Sequence, residues 1–254
     1  MVPKDADTQD DETGGLFDDP EGYYPPTPPP TTQTHKLLSG QTVTLHLVGH
    51  SPLEAHHLWN GSKTISNWFE THEADVKDKT VLELGAAAGL PSIVCAALGA
   101  KKVIVTDFPD PDLVANMQKN IDICTLLPDP KPIVAQGYVW GADTVPLLDN
   151  INPESGFDIL ILADLLFRHS EHGHLLDTVQ GALKKTKDSK ALVFFTSYRP
   201  WLKHKDMAFF DLARERGFVV EKLLDEKLER PLFENDPGDV DVQKTVTGWS
   251  LTWP

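Results

Sequence analysis

Basic charge and cysteine are both scarce in this chain of 254 residues. Lys and Arg number 23 against 38 Asp and Glu, a formal net charge of −15. A protein that lives on DNA, RNA or an anionic membrane needs clustered Lys and Arg to answer phosphate charge, so direct nucleic-acid and membrane partners are not expected. A basic partner, steered by complementary charge, is admitted. The two cysteines, Cys95 and Cys124, are too few and too far apart to make a disulfide or zinc framework, and fit free thiols in a reducing compartment. No apolar run approaches the length of a bilayer span. The acidic start lacks the basic flank and apolar run of a secretory signal, and its charge opposes a mitochondrial presequence. No internal repeat is visible. A cytoplasmic protein is the expectation.

The negative charge is unevenly placed. Residues 1–30 hold Asp5, Asp7, Asp10, Asp11, Glu12, Asp18, Asp19 and Glu21 against Lys4 alone, seven of the fifteen net charges. Prolines then crowd the run Tyr24-Pro25-Pro26-Thr27-Pro28-Pro29-Pro30, which favours an extended, polyproline-like course. Residues 1–33 therefore read as an acidic, proline-rich extension, partly disordered, in which Phe17, Tyr23 and Tyr24 could dock on the domain or fold over a substrate. Residues 34–254, with the ordinary apolar content of a globular chain, form the folded domain.

Within it, Lys36–Leu38 and Thr42–Val48 flank Ser39-Gly40-Gln41 and predict a hairpin. Residues 59–70 suit an amphipathic helix with Trp59, Ile65, Trp68 and Phe69 apolar. From residue 80 on, strand and helix alternate. Strands are expected at 80–84, 102–106, 132–136, 157–162, 190–196, 218–223 and 245–253. Helices are expected at 91–98, 111–123, 170–183 and 203–216. Buried apolar strands separated by helices imply an α/β fold, a mostly parallel sheet covered on both faces.

One segment carries chemistry. The strand Val81-Leu82-Glu83-Leu84 runs into Gly85-Ala86-Ala87-Ala88-Gly89 and then a helix opened by Pro91. Small residues let the backbone approach a ligand at the carboxyl end of the strand, where open α/β sheets bind nucleotides. Asp107 ends the next strand, 22 residues after Gly85. That is the spacing at which a carboxylate accepts hydrogen bonds from two ribose hydroxyls, so an adenosine-containing ligand is expected. The loop is not G-x-G-x-x-G and offers no pyrophosphate cradle, which weighs against a nicotinamide-nucleotide oxidoreductase. Glu83 either organises the loop or meets an amino group of the ligand, directly or through water.

The E-x-G-x-x-x-G run, the strand end at Asp107 and Phe157–Asp164 together resemble the seven-strand S-adenosylmethionine-dependent methyltransferases over about residues 55–254. Leu58-Trp59, Val139-Trp140-Gly141 and Asp164-Leu165-Leu166-Phe167 resemble features of the lysine methyltransferase branch. The middle glycine usual in the loop is here Ala87. The resemblance implies a Rossmann-like, seven-stranded sheet with its last strand antiparallel, and S-adenosylmethionine as cofactor. It implies cofactor contacts from Trp59, Glu83, Gly85, Ala86, Ala87, Asp107, Trp140 and Ala163. Asp164 would hold and orient the amine, and Phe167 would wall it with an aromatic face that favours a methylated ammonium. Tyr198 and Trp201 are further candidates for that rim, or for packing and partner surface. The stretch Leu16–Pro26 resembles the opening of methyltransferases acting on the N-terminal glycine amine and adjacent lysine of translation elongation factor 1-alpha. A monomeric protein methyltransferase with that partner is thus expected. A small-molecule, nicotinamide-type N-methyltransferase and a non-catalytic binding module remain as competing readings. The run His169-Ser170-Glu171-His172-Gly173-His174 lacks a completing carboxylate or cysteine pattern, so no metal site is expected there.

Overall fold

The computed structural model describes residues 28–152 and 155–254. The acidic extension and the Leu16–Pro26 stretch lie almost wholly outside the described residues. A hairpin of β1 (Thr31–Lys36) and β2 (Thr42–Leu47) comes first. Then follow α1 (Asn60–Thr71), α2 (Glu73–Val76), β3 (Thr80–Leu84), α3 (Leu90–Ala97), β4 (Lys102–Asp107) and α4 (Pro111–Ile123). Next come β5 (Ile133–Gly137), α5 (Val145–Leu148), β6 (Ile159–Ala163), α6 (His172–Ala182) and β7 (Lys190–Thr196). The chain closes with α7 (Lys203–Glu215), β8 (Val219–Lys227), α8 (Val240–Gln243) and β9 (Thr245–Thr252).

Seven strands form one sheet in the order β5-β4-β3-β6-β7-β9-β8. All pair in parallel except β9, which runs antiparallel to both β7 and β8. This is the expected architecture, a Rossmann-like sheet with its last strand reversed. Successive strand residues face opposite sides, so each central strand feeds two cores. Val81, Val103, Val105, Ile161 and Phe194 pack with Ile65, Phe69, Ile93 and Met117 from α1, α3 and α4. Leu82, Leu84, Ile104, Leu162 and Phe195 pack on the other face with Leu175, Val179, Phe209 and Phe210 from α6 and α7.

The hairpin differs in register from expectation. Its first strand is Thr31–Lys36, ahead of the predicted Lys36–Leu38, and Lys36 pairs with Thr42. The turn spans residues 37–41, closed by Leu37 N–H on Gln41 O at 2.8 Å. The reason is physical: β1 is almost entirely polar and exposed, and its register is set by pairing with β2, whose Val43, Leu45 and Leu47 are buried. The helix expected over 170–183 is broken into a short turn, His169–Glu171, followed by α6.

The sheet order reverses direction around β3, since β4 and β5 lie on one side and β6 and β7 on the other. A crevice opens at the carboxyl ends of strands at such a point. The hairpin steadies its floor. Asn120 of α4, fully buried, bonds both the N–H and the carbonyl of His46 and also the carbonyl of Ala88 in the loop after β3.

Candidate active site

That crevice encloses about 860 Å³ of empty space, its open mouth included. Its walls include Trp59, Gly85, Ala87, Asp107, Trp140, Ala163, Asp164 and Phe167. Eight of the ten residues singled out from the sequence therefore converge on one space.

Gly85 sits at φ +58, and a Cβ there would lie 2.6 Å from Leu165 Cδ2 and 2.9 Å from Trp140 Cζ2. Only glycine lets the indole of Trp140 come this close to the loop backbone. Ala87 also adopts a left-handed conformation, φ +50, which costs an L-residue roughly 1–2 kcal/mol. Asp107 offsets that cost: its Oδ2 accepts the Ala87 N–H at 2.7 Å and its Oδ1 accepts the Phe108 N–H at 2.7 Å. Burial pushes the Asp107 carboxyl above its ordinary range, against the lowering effect of these two N–H donors. Each oxygen keeps a lone pair for a further donor in the cavity.

Glu83 and Ala86 are the two that do not line the cavity. Glu83 shares the sheet face of Val81, is 1% exposed, and accepts the N–H of Ser92 at 2.9 Å and the Ser92 hydroxyl through a short bond. It satisfies an orphan N–H in the first turn of α3, so of its two readings the structure supports the loop organiser. Ala86 N–H donates to Thr106 O at 2.9 Å and its methyl packs in the core. Burial pushes the Glu83 carboxyl up to about 8. The folded protein then holds this proton more tightly than the unfolded chain, so stability should fall as pH rises from the ordinary carboxyl range to about 8, and level off above. Each tenfold change in proton affinity is worth about 1.4 kcal/mol. Thermal melts from pH 5 to 9 should show a steeper decline for the native protein than for Glu83→Gln; identical pH profiles would count against a buried, protonated Glu83.

Asp164 is 3% exposed and sits at φ +54, directly after β6. Its Oδ1 accepts the Thr196 N–H at 2.8 Å, and its Oδ2 accepts the Gly61 N–H at the start of α1. A Cβ on Gly61 would stand 2.7 Å from that oxygen and 2.5 Å from Phe194 O, so glycine is required for the approach. The Tyr198 hydroxyl donates to Oδ2 at 3.5 Å and accepts the Asn60 N–H at 3.2 Å. Burial raises the Asp164 pKa to about 7, opposed by the Thr196 and Gly61 N–H groups, by Tyr198 and by the charge of Lys63.

Beside it stands a cluster of rings. Trp59 stacks on Phe167 with centroids 5.9 Å apart and planes 20° apart, and leans on Tyr198 at 5.1 Å. Its indole N–H donates to Glu54 O at 3.0 Å, and Arg199 holds the Phe167 carbonyl at 2.7 Å. Tyr198 thus backs the wall without lining the cavity, and Trp201 points outward, 55% exposed. Phe233, in the segment before β9, packs edge-on against Trp59, Tyr198 and His57. Sequence reasoning missed it: one aromatic in a polar run has no periodicity to betray it. The histidines of the 169–174 run go separate ways, His169 to Asp206, His172 to the Leu166 carbonyl and His174 to Glu171.

A lysine methyltransferase family model matches residues 49–216. The chain is 62% identical to the protein N-terminal and lysine N-methyltransferase efm7 of Neurospora crassa, over all of this chain and 92% of that relative. It is 41% identical to the protein of the same description from Schizosaccharomyces pombe, over 96% of this chain and 97% of that one. Among solved structures, the fold is similar to P. horikoshii TYW2 in complex with MeSAdo, at 18% identity and TM-score 0.51, covering 88% and 72% of the two chains. It is likewise similar to the T. thermophilus 16S rRNA methyltransferase RsmC in complex with AdoMet and guanosine, at 16% identity and TM-score 0.51, covering 91% and 52%.

Proposed function

This chain belongs to the lysine methyltransferase family, and on that premise we propose that it methylates translation elongation factor 1-alpha at its N-terminal glycine α-amine and adjacent lysine, with S-adenosylmethionine as methyl donor. The observation that carries this reading is that one cavity is lined by two sets of side chains. Trp59, Gly85, Asp107 and Trp140 suit the cofactor; Phe167 and Asp164 suit an amine. The residues fit the cofactor. The Gly85 cradle would be filled by any Cβ, Asp107 offers two acceptors to paired hydroxyls, and Trp140 and Ala163 supply apolar surface beside them.

The cofactor supplies a methyl group already activated on a sulfonium, so the protein's task is alignment and proton management. The amine must arrive neutral. An α-amine has a pKa of about 7.7–8.0, within a unit or so of the Asp164 carboxyl at about 7, so the carboxylate can take up its proton with little mismatch. A lysine, at about 10.4, additionally needs the desolvation that the aromatic wall provides. Phe167, backed by the stacked ring of Trp59 at the cofactor's border, excludes water and presents a π face that tolerates the growing ammonium. Residues 1–33 are proposed as an extension that brings its aromatic Leu16–Pro26 stretch to the protein substrate. A monomer acting in the cytoplasm, where the factor works, completes the proposal; no helix among the described residues is long and apolar enough to cross a membrane.

The full chain should be incubated with S-adenosylmethionine and elongation factor bearing a free N-terminal glycine, and the product mapped by mass spectrometry. Methylation of the terminal amine and the neighbouring lysine is expected, with the terminal signal lost on an N-acetylated factor. Transfer to nicotinamide with none to the factor would replace this reading by the small-molecule one.

A further inference from the structure

The segment joining β8 to α8, residues 228–239, contributes no cavity-lining residue, yet the fold pins it against the rings beside Asp164 and Phe167. Three contacts hold it. Phe233 inserts its ring edge-on against Trp59 at 5.9 Å and Tyr198 at 5.6 Å. The Gln243 side chain bridges the Pro237 carbonyl at 2.9 Å and the Tyr198 carbonyl at 3.3 Å. The backbone at Gly238 lies on the Pro200-Trp201 turn, where an added Cβ would meet Pro200 at 3.1 Å and Trp201 at 3.5 Å. The segment is thus fastened to the same rings and the same turn that border the amine site.

Its outward side is acidic. Glu229, Glu234, Asp236 and Asp239 are all exposed, against Arg230 as the one base. Arg230 is answered by Glu234 at 3.3 Å, and Asp239 caps α8 through the Asp241 N–H. Glu229 and Asp236 make no ion pair among the described residues. Trp201, which the segment meets at Gly238, exposes 55% of its surface, an unusual exposure for so large an apolar ring. Exposed carboxylates on a segment that abuts an exposed indole make a surface complementary to a cationic side chain with an apolar stem.

We infer that residues 228–239 form a docking strip for the protein substrate, which receives a cationic side chain adjacent to the methylated amine. This rests on the proposed protein amine methyltransferase activity and adds to it the element that reads the substrate beyond the reacting nitrogen. Trp201, placed among the rim candidates by sequence, then borders the strip, outside the cavity. Charge complementarity of this kind acts mainly on encounter and ground-state binding and leaves the chemical step alone.

The test is a double-mutant cycle between enzyme and substrate. Two peptides, identical except that one begins Gly-Lys and the other Gly-Gln, are compared with the native chain and with Glu229→Lys/Asp236→Lys. Methylation is scored at the terminal amine by mass spectrometry. The native protein should show a KM roughly tenfold lower for the Gly-Lys peptide, rising with salt as exposed charge pairs are screened. In the double variant that preference should vanish, with kcat at saturation and S-adenosylmethionine affinity unchanged. Retention of the Gly-Lys preference by the variant would overturn the strip. Failure of the native protein to methylate either peptide would overturn the activity itself, and the strip with it.

Discussion

Alanine in place of Asp107 will weaken S-adenosylmethionine binding by at least about 100-fold while the protein remains folded. Hydrogen bonds to a charged acceptor contribute about 1.5–3 kcal/mol each, and two ribose hydroxyls would engage this carboxylate, so about 3–6 kcal/mol is at stake. At roughly 1.4 kcal/mol per tenfold, that is two to four orders of magnitude in Kd. A second loss adds to the first. Without the bond to Oδ2, the Ala87 N–H has no acceptor to hold the left-handed turn, and the loop's cavity-facing backbone loosens. The melting temperature should fall by some degrees without loss of the fold, because the Ala87 and Phe108 N–H groups lose their acceptor, a cost that relief of the buried Asp107 charge offsets only in part. Titration calorimetry gives the affinity and a thermal melt the fold. Asp107→Asn keeps the volume but turns one acceptor into a donor facing an N–H, so it should fall between native and alanine. An unchanged Kd in the alanine variant would remove Asp107 from the site.

The ease with which this residue is found shows what kind of information the chain carries openly. The strand Val81–Leu84, the small-residue loop and the helix opened by Pro91 are local features, and Asp107 follows at a distance set by one helix and one strand. Spacing of that sort survives in one dimension. The apolar strands likewise declare a covered parallel sheet, because both of their faces are buried. The first hairpin strand is different. Thr31–Lys36 is polar throughout, so no hydrophobic signal marks it, and only the buried alternation of β2 tells where it must lie.

Partnerships between distant segments are the other part that sequence hides. The alternation of β3 puts Glu83 on the face of Val81, toward α3, so its direction was readable; that its oxygen would be taken by Ser92 depended on how α3 begins. Gly61 reads as an ordinary helix residue until Asp164 and Phe194 O are seen to crowd its α-carbon. Phe233 and Arg199 come to the aromatic wall from segments with no pattern at all, placed by the antiparallel return of β9 and the turn after β7. The site was legible where one strand–loop–helix unit builds it, and illegible where loops meet across the sheet edge.

Asp164 allows two roles to be separated by experiment. As a brace it joins α1 to β7, and Asp164→Ala would strand the N–H groups of Gly61 and Thr196 in a buried position. Each orphaned donor costs about 1–3 kcal/mol, so the melting temperature should drop by several degrees or more. As a proton acceptor it must also shape the pH dependence of catalysis. With its carboxyl near 7, the ionised and competent form grows as pH rises, so the rate should climb through about pH 7. Asp164→Asn preserves one acceptor and the shape, and should keep most of the fold while lowering kcat on the order of 100-fold or more. Its rising limb should then move toward the amine's own pKa of about 7.7–8.0, since only substrate deprotonation remains. S-adenosylmethionine affinity should be little altered, because none of the proposed adenosine contacts is made by Asp164. If the asparagine variant lost stability but kept the native pH profile and kcat, Asp164 would be a brace alone, and the amine would have to find its proton acceptor elsewhere along the cavity.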